Sequence, residues 1–183
     1  ETYLAAARDA MRAALAAAPG HRPEALGLCT QGETKVPADA QGPALRAFLV
    51  WLDSRAGTQA AALEERLGSQ RFYETTGLPQ LSGATPLAKA AWLLENEPDL
   101  MRRAERLLLL EDYLLGWLTG RAVTEPAVQT STGWYDIRHD RWWPEALEAA
   151  EIPARLLPEC VPCGEKAGPL QKEAADLLGL PEG

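Results

Sequence analysis

Apolar residues recur at helical spacing over most of the chain, with proline or glycine at many of the boundaries. In the first segment, leucine, methionine and alanine share one helical face until Pro19-Gly20 ends the pattern. Later segments carry proline in a first turn or glycine after a last one, which is typical of helix starts and stops. The predicted helices are 2–18, 58–67, 69–76, 86–95, 98–103, 111–118, 144–150 and 170–178. We expect the first helix to cover one face of a sheet.

Short apolar runs between these helices predict the strands of that sheet. Residues 25–29 and 48–51 are apolar enough to be buried strands, and 36–39 can pair with one of them. Residues 40–43 have the composition of a turn. Residues 106–110 are predicted to be a strand or buried segment. Residues 124–137 have few helix formers and many hydroxyls, which predicts a loop with extended chain. Without an internal repeat or a low-complexity linker, the pattern predicts one α/β domain.

A first polar cluster follows the predicted strand 25–29. It contains Gln31, Gly32 and Glu33. A carboxylate accepts hydrogen bonds from sugar or polyol hydroxyls, an amide both donates and accepts, and glycine lets a ligand approach the backbone. Open α/β sheets hold their ligands at such strand ends. The alternative is a polar turn after a strand, and the triplet alone leaves both open.

A second polar cluster follows the predicted strand 48–51. Trp51 can form an apolar wall for the carbon face of a sugar, and Asp53 can pair with Arg55 to orient the loop. The alternative is a core tryptophan with a helix N-cap at Asp53 or Ser54. Both interpretations stay open, because one residue can serve both purposes.

Other chemically capable residues have plainer interpretations. Lys89 is expected to be a structural ion-pair partner, and Asp112 a helix cap. Cys160 and Cys163 have the spacing of half a zinc site or of a redox pair. No second pair exists and the two histidines lack ligand spacing, so no metal site is expected. Glycine-rich phosphate-binding motifs and a nucleophile elbow are absent from the sequence.

Composition narrows the class of protein. The chain has 183 residues, of which 46% are hydrophobic and 24% charged, as in ordinary globular domains. Its net charge of −8 argues against a general nucleic-acid or anionic-membrane binder. The three cysteines, an odd number, favour a reducing cytoplasm over a disulfide framework. The first residues lack the pattern of a signal peptide, and no apolar run is long enough for a membrane span.

Several motifs in order carry a family resemblance. They are Gln31-Gly32-Glu33-Thr34, Trp51-x-Asp53-x-Arg55, Thr76-Gly77-Leu78, Pro86-x-x-Lys89-x-x-Trp92-Leu93-x-Glu95-Asn96, Leu110-x-Asp112-Tyr113-Leu114 with Leu118-Thr119-Gly120, Thr124-Glu125 to Asp136-Ile137, and Leu157-Pro158-Glu159 to Gly164. Together they resemble the amino-terminal domain of the FGGY carbohydrate kinases, the family of xylulokinase, glycerol kinase and gluconokinase. The resemblance extends over nearly the whole chain.

The resemblance implies a fold and a substrate site. The fold is a ribonuclease H-like (actin-like ATPase) α/β domain with helical insertions, one of a pair that closes over sugar and ATP. Gly32 and Glu33 fall where family members hold substrate hydroxyls, and Gln31 supports them. Trp51 matches an aromatic residue near the substrate, and Asp53 belongs to the same substrate-binding set.

Departures from the family pattern leave the sugar open. Ala84 stands at a position that is often aromatic and substrate-facing, and Ala90 at a larger hydrophobic position. Gly32 lacks the side chain that some members use to contact substrate. The pocket wall is therefore expected to be wider. A xylulose-like ketose is our first expectation, because that type is common in the family.

The resemblance also implies that the chain is an incomplete, internal part of the first domain. The family's first strand and phosphate loop are expected before residue 1, and its general-base aspartate beyond Gly183. No catalytic residue is therefore assigned within the chain, and the fragment alone is expected to be inactive. ATP and Mg²⁺ are the implied cofactors, bound largely outside this chain by parts that include an absent second domain. A missing strand would leave an unpaired sheet edge, which predicts self-association.

The expected protein is thus a cytoplasmic, ATP-dependent sugar kinase. Its expected partner is a sugar or polyol substrate, a homodimer is allowed, and neither nucleic acid nor a membrane is expected. One alternative is a non-catalytic sugar-binding or regulatory domain with the same fold. Another is a structural domain of a larger assembly, in which Glu33 would form an ordinary turn salt bridge.

Overall fold

A computed structural model describes residues 2–40 and 42–182 of the chain. Its helices are α1 (Thr2–Ala17), α2 (Gly57–Leu67), α3 (Ser69–Thr76), α4 (Pro86–Asn96), α5 (Pro98–Arg103), α6 (Leu110–Thr119), α7 (Pro126–Gln129), α8 (Pro144–Ala149) and α9 (Lys172–Leu178). Its strands are β1 (Lys35–Ala38), β2 (Arg106–Leu109), β3 (Val123–Thr124), β4 (Tyr135–Asp136), β5 (Arg141–Trp142) and β6 (Glu159–Cys160). The predicted helices are confirmed to within two residues at each boundary.

Strand β1 is the central strand of the part of the fold that positions the candidate site. It pairs antiparallel with β2, and all four of its residues are buried. On its other side, Lys35 and Leu49 exchange backbone hydrogen bonds of 3.0 and 2.9 Å. The prediction of strands near 36–39 and 106–110 is therefore confirmed. Strands β3 and β6 pair in parallel, and β4 pairs with β5 antiparallel.

Two hydrophobic clusters organise the helices. The larger one includes Phe72, Leu87, Leu93, Leu107 and Trp134, all at most 2% exposed, and it joins α3 and α4 to β2. The smaller cluster consists of buried residues of α6 and α9, and Met11 of α1 is among the partly buried residues that pack against them. Helix α1 therefore packs on α9, and the expectation that it covers a sheet face was wrong.

The predicted buried strand at 25–29 was also wrong. These residues form no strand, and Ala25 and Cys29 are exposed. Leu26 and Leu28 pack instead against the smaller hydrophobic cluster. An apolar run is stabilised as a strand only where a neighbouring backbone offers partners, and among the described residues none does so here.

Three further predictions hold only in part. Residues 48–51 make a single bridge at Leu49, while Val50 and Trp51 are 39% and 46% exposed, so they are not a buried strand. The predicted turn at 40–43 is closed by hydrogen bonds between Asp39 and its neighbours, although residue 41 lies outside the described part of the chain. The predicted loop at 124–137 contains the short helix α7 and strand β4.

Candidate functional site

The candidate site begins at a bend immediately before β1. Glu33 lies in this bend with a φ of 65°, a backbone angle that residues other than glycine rarely adopt. The Thr34 amide donates a 2.8 Å hydrogen bond to the Gly32 carbonyl and closes the bend. Because residues 25–29 form no strand, Glu33 precedes a strand, whereas the sequence pattern predicted that it follows one.

The buried side chain of Thr34 joins this bend to the segment that contains Trp51. Its hydroxyl oxygen accepts a hydrogen bond of 3.0 Å from the Gln31 amide nitrogen. The same oxygen accepts a 3.1 Å hydrogen bond from the backbone N–H of Trp51. Two of the predicted site residues are thus brought together by a threonine whose role the sequence pattern did not indicate.

Lys89 of α4 contacts the same two segments. Its Nζ donates to the Val50 carbonyl at 3.0 Å and, more weakly, to the Glu33 carbonyl at 3.4 Å. Among the described residues, no carboxylate oxygen lies within 4.0 Å of this nitrogen, so the prediction of an ion pair was wrong. The lysine is bound by backbone carbonyls, which no spacing rule in the sequence reveals.

Burial and neighbouring opposite charges shift the pKa values of Glu33 and Lys89 in opposite directions. Burial raises the pKa of Glu33 above its ordinary value, and the positive charge of Lys89 partly offsets this. Burial lowers the pKa of Lys89, while Glu33 and Asp53 act in the opposite direction. Within the described residues the Glu33 carboxylate accepts no hydrogen bond, so its oxygens are available to a ligand.

Asp53 and Arg55 form the pair that the sequence predicted. The carboxylate accepts hydrogen bonds from the Arg55 Nε at 2.9 Å and from a terminal nitrogen at 2.7 Å, and this holds the pKa of Asp53 below its ordinary value. The guanidinium carbon lies 4.7 Å from the centroid of the Trp92 ring. The alternative of an N-cap was wrong, because α2 follows Ala56 and has no side-chain cap.

Trp51 presents its ring to solvent beside the bend. Its exposed fraction is 46%, and its neighbour Leu52 is 69% exposed. The alternative of a core tryptophan was therefore wrong. Since aromatic rings bind the apolar faces of ligands, this surface is available for one.

Gly32 also borders a cleft of about 370 Å³. Its other lining residues are Leu28, Cys29, Thr30, Glu111, Glu125, Ala127, Val128, Ser131 and Cys163. A Cβ atom at Gly32 would lie 3.4 Å from the Ser131 hydroxyl oxygen, so a side chain here would narrow the cleft. Of the five predicted site residues, Gly32 lines this cleft and the other four do not.

Asp112 caps α6, as the sequence predicted. Its Oδ2 accepts a 2.8 Å hydrogen bond from the Leu109 amide. Burial raises the pKa of Asp112 to about 7, although the hydrogen bonds from Thr124 and Leu109 lower it. Its Oδ1 has no partner of good geometry among the described residues.

The cysteines show no sign of a metal centre or disulfide. Cys29, Cys160 and Cys163 carry free thiols, and the Cys160 sulfur lies 3.9 Å from the Tyr135 hydroxyl. In residues 2–40 and 42–182, no group of three or more His, Cys, Asp or Glu side chains is arranged to hold a metal ion. No described helix is long and apolar enough to cross a membrane.

Comparison with known proteins places this chain in a family. The sequence model described as "FGGY family of carbohydrate kinases, N-terminal domain" matches residues 1–183. The chain belongs to the FGGY family of carbohydrate kinases. The resemblance drawn from the motifs is thereby confirmed.

Curated relatives and a solved structure agree with this assignment. L-fuculokinase of Escherichia coli (strain K12) is 33% identical over 158 residues, which cover 86% of this chain and 33% of the relative. Xylulose kinase of Lactococcus lactis is 36% identical over 132 residues, covering 72% of this chain and 26% of the relative. The crystal structure of xylulose kinase from Rhodospirillum rubrum matches with a TM-score of 0.88 at 25% identity, covering 100% of this chain and 38% of that one.

These matches confirm the predicted fold class. The FGGY chain has the ribonuclease H-like, actin-like ATPase fold of the sugar kinases, with mixed helices and sheets. It spans about a third of the length of the first curated relatives it matches.

Proposed function

We propose that the protein carrying this chain is a carbohydrate kinase that transfers a phosphoryl group from ATP to a hydroxyl of a sugar or polyol. This chain belongs to the amino-terminal domain and supplies part of the sugar-binding side of the cleft. Family membership supports the reaction class. The arrangement around Glu33 supports the role of this chain.

The observation that carries the proposal is the Glu33 carboxylate. It is half-buried, it sits on a backbone in the left-handed region, and no described side chain occupies its oxygens. Held in this way, it accepts hydrogen bonds from substrate hydroxyls and orients the sugar. The alternative of an ordinary turn salt bridge at Glu33 finds no support in the described residues.

The other proposed contacts complete a sugar-binding surface. The exposed ring of Trp51 packs against the carbon face of the sugar, and Gly32 lets a hydroxyl approach the backbone. Gln31 supports the bend through Thr34. Asp53 fixes the loop after Trp51 through its pair with Arg55, and in this way it belongs to the substrate-binding set.

The described residues support the proposal that ATP and Mg²⁺ bind largely elsewhere in the protein. They contain no cluster able to hold a metal ion, and the sequence has no glycine-rich phosphate-binding motif. We therefore assign ATP and Mg²⁺ largely to parts of the protein outside this chain, together with the aspartate that acts as general base. The residues of this chain bind and orient the acceptor.

A ketose related to xylulose is the proposed substrate. The relatives reported above are a xylulose kinase and an L-fuculokinase, whose names specify ketoses. The small side chain of Ala84 and the absence of a side chain at Gly32 leave room around the acceptor.

A coupled ATPase assay of the full-length protein tests the proposal. Pentuloses, hexuloses, aldonates and polyols are compared as acceptors, with Glu33→Gln as the variant. Glu24→Gln is the matched control, because Glu24 is exposed in the segment that leads to the bend. Loss of hydrogen bonds to a charged group costs about 1.5–3 kcal/mol, so Glu33→Gln is expected to lower kcat/KM by about 10- to 150-fold.

Three outcomes separate the proposal from its alternatives. Stimulation by one sugar, with a loss confined to Glu33→Gln, supports the kinase and names the acceptor. Turnover that is equal in both variants refutes the role of Glu33. A sugar that binds in calorimetry but never stimulates ATP consumption favours a non-catalytic sugar-binding or regulatory domain.

A further inference from the structure

The two segments with the proposed sugar contacts are joined by the buried ammonium group of Lys89, in addition to the Thr34 hydroxyl. Lys89 is 0% exposed, and its Nζ contacts the carbonyl oxygens of Glu33 and Val50. Val50 is the residue directly before Trp51. The same group therefore fixes the backbone on both sides of the surface that the sugar is proposed to occupy.

The bend needs such a contact because of its backbone conformation. Glu33 has a φ of 65°, and a residue with a Cβ keeps this conformation only where its surroundings over-determine it. The bond from Thr34 to Gly32 fixes one side of the residue. The Lys89 ammonium fixes the carbonyl on its other side.

The charges around Lys89 match this role. Glu33 and Asp53 act on it as negative charges, and Arg55 and Lys35 are the positive charges that face it. Burial lowers the pKa of Lys89, since desolvation disfavours the charged form. Here two carboxylates beside the site favour the ammonium that donates to both carbonyls.

We propose that Lys89 is a positioning residue for the acceptor. Its ammonium holds the Glu33 carboxylate and the Trp51 ring at a fixed separation, so that one sugar meets both. The inference rests on the proposed function, because it assumes that Glu33 and Trp51 contact the substrate. Lys89 itself does not touch the reacting atoms.

The test is steady-state kinetics of Lys89→Met in the full-length protein. Lys35→Met is the matched control, because it also removes a fully buried lysine. Its Nζ contacts the Pro86 carbonyl and the Trp134 ring and touches neither Glu33 nor Val50. Loss of positioning in the ground state and the transition state alike is expected to raise KM by about tenfold or more, with kcat changed by less than about threefold.

A merely structural role would give a different result. A less stable variant has less folded protein, which lowers apparent kcat and leaves the KM of the folded fraction unchanged. A wild-type KM in folded Lys89→Met, or an equal rise of KM in Lys35→Met, would overturn the inference. If Lys89→Met does not fold, Lys89→Arg compared with Lys35→Arg replaces it: the larger cation must displace the carbonyls, so KM is expected to rise for Lys89→Arg alone.

A cycle with Glu33→Gln separates this inference from the proposed function. If Lys89 acts through Glu33, the fold increase in KM of the double variant Glu33→Gln/Lys89→Met is smaller than the product of the fold increases of the two single variants. Full multiplicativity would refute coupling between the two residues. If no sugar binds or stimulates the wild-type protein, the proposed function fails, and the positioning role fails with it.

Discussion

Replacing Lys35 with methionine should stabilise the protein at neutral pH, and the gain should shrink as the pH rises. Lys35 is 0% exposed, and its ammonium has the Pro86 carbonyl and the ring of Trp134 as neighbours, the ring centroid 4.9 Å away. Burial, together with repulsion from Lys89, places the pKa of Lys35 well below its ordinary value of 10.5. No described carboxylate pairs with it.

The sign of the effect follows from proton binding. Between the depressed pKa of the folded protein and 10.5, the unfolded chain holds a proton that the folded chain has lost. The free energy of unfolding therefore rises with pH in that window, by up to about 1.4 kcal/mol per pH unit. Below the window the full cost of the buried charge is present, and methionine removes it at every pH.

The size of the stabilisation depends on one gain, the removal of a buried charge, and on two lost interactions. Replacing a buried charge by a well-packed apolar side chain of similar volume is worth about 1–4 kcal/mol. The lost hydrogen bond and cation–π contact offset this by about 1–2 kcal/mol. The midpoints of these ranges leave a net gain of about 1 kcal/mol at pH 7, which corresponds to a rise in Tm of about 2–4 °C for a domain of this size.

Thermal unfolding of wild type and Lys35→Met, followed by circular dichroism between about pH 6.5 and pH 9.5, measures the difference. Lys172→Met is the control, because this lysine has a side chain that is 66% exposed. A Tm difference between Lys35→Met and wild type that stays constant or grows with pH would refute the reasoning.

Three other substitutions probe the scaffold, each read from chemical denaturation. Gly83→Ala should destabilise the protein by about 3 kcal/mol or more, because its Cβ would lie 2.3 Å from a backbone carbonyl oxygen, whereas Gly27→Ala, with open space, should change little. In the wild type, the free energy of unfolding should fall by up to about 4 kcal/mol from pH 4 to pH 7, because the folded pKa of Asp112, about 7, lies above the ordinary value of 3.8. Asp112→Asn should abolish this fall, and an unchanged pH slope would contradict the prediction. Thr34→Val should cost about 1–3 kcal/mol, because two N–H donors lose their common acceptor, and Thr58→Val, at an exposed position, is its control.

The helices could be predicted from sequence because their signals are local. Pro86 and Pro98 begin helices, and Gly77 ends one with a φ of 76°. Apolar periodicity between such boundaries requires no knowledge of distant neighbours. The strand at 25–29 could not be judged in this way, since an apolar run does not reveal whether another backbone lies beside it.

A contact between near neighbours at the candidate site could be predicted from the sequence, whereas its long-range contacts could not. The pair of Asp53 and Arg55 is close in sequence, and the structure has it as predicted. The contacts of Thr34 and Lys89 join segments far apart in the chain, and a lysine on an apolar helix suggests an ion pair before it suggests two carbonyls. Such contacts depend on tertiary packing and leave no pattern in the sequence.

The pairing of β1 with β2 has a consequence for the order of folding. Lys35 pairs with Leu109, about 70 residues further along, and helices α2 to α5 lie within the loop that this pairing closes. Those helices can form from local contacts. Pairing β1 with β2 closes a loop of many residues, and the entropic cost of closing it has to be overcome before the strands can pair. Lys89 lies inside the loop, and the carbonyl of Glu33 lies just before it. We therefore expect the proposed sugar-binding surface to form late in folding, after most of the helical content is already in place.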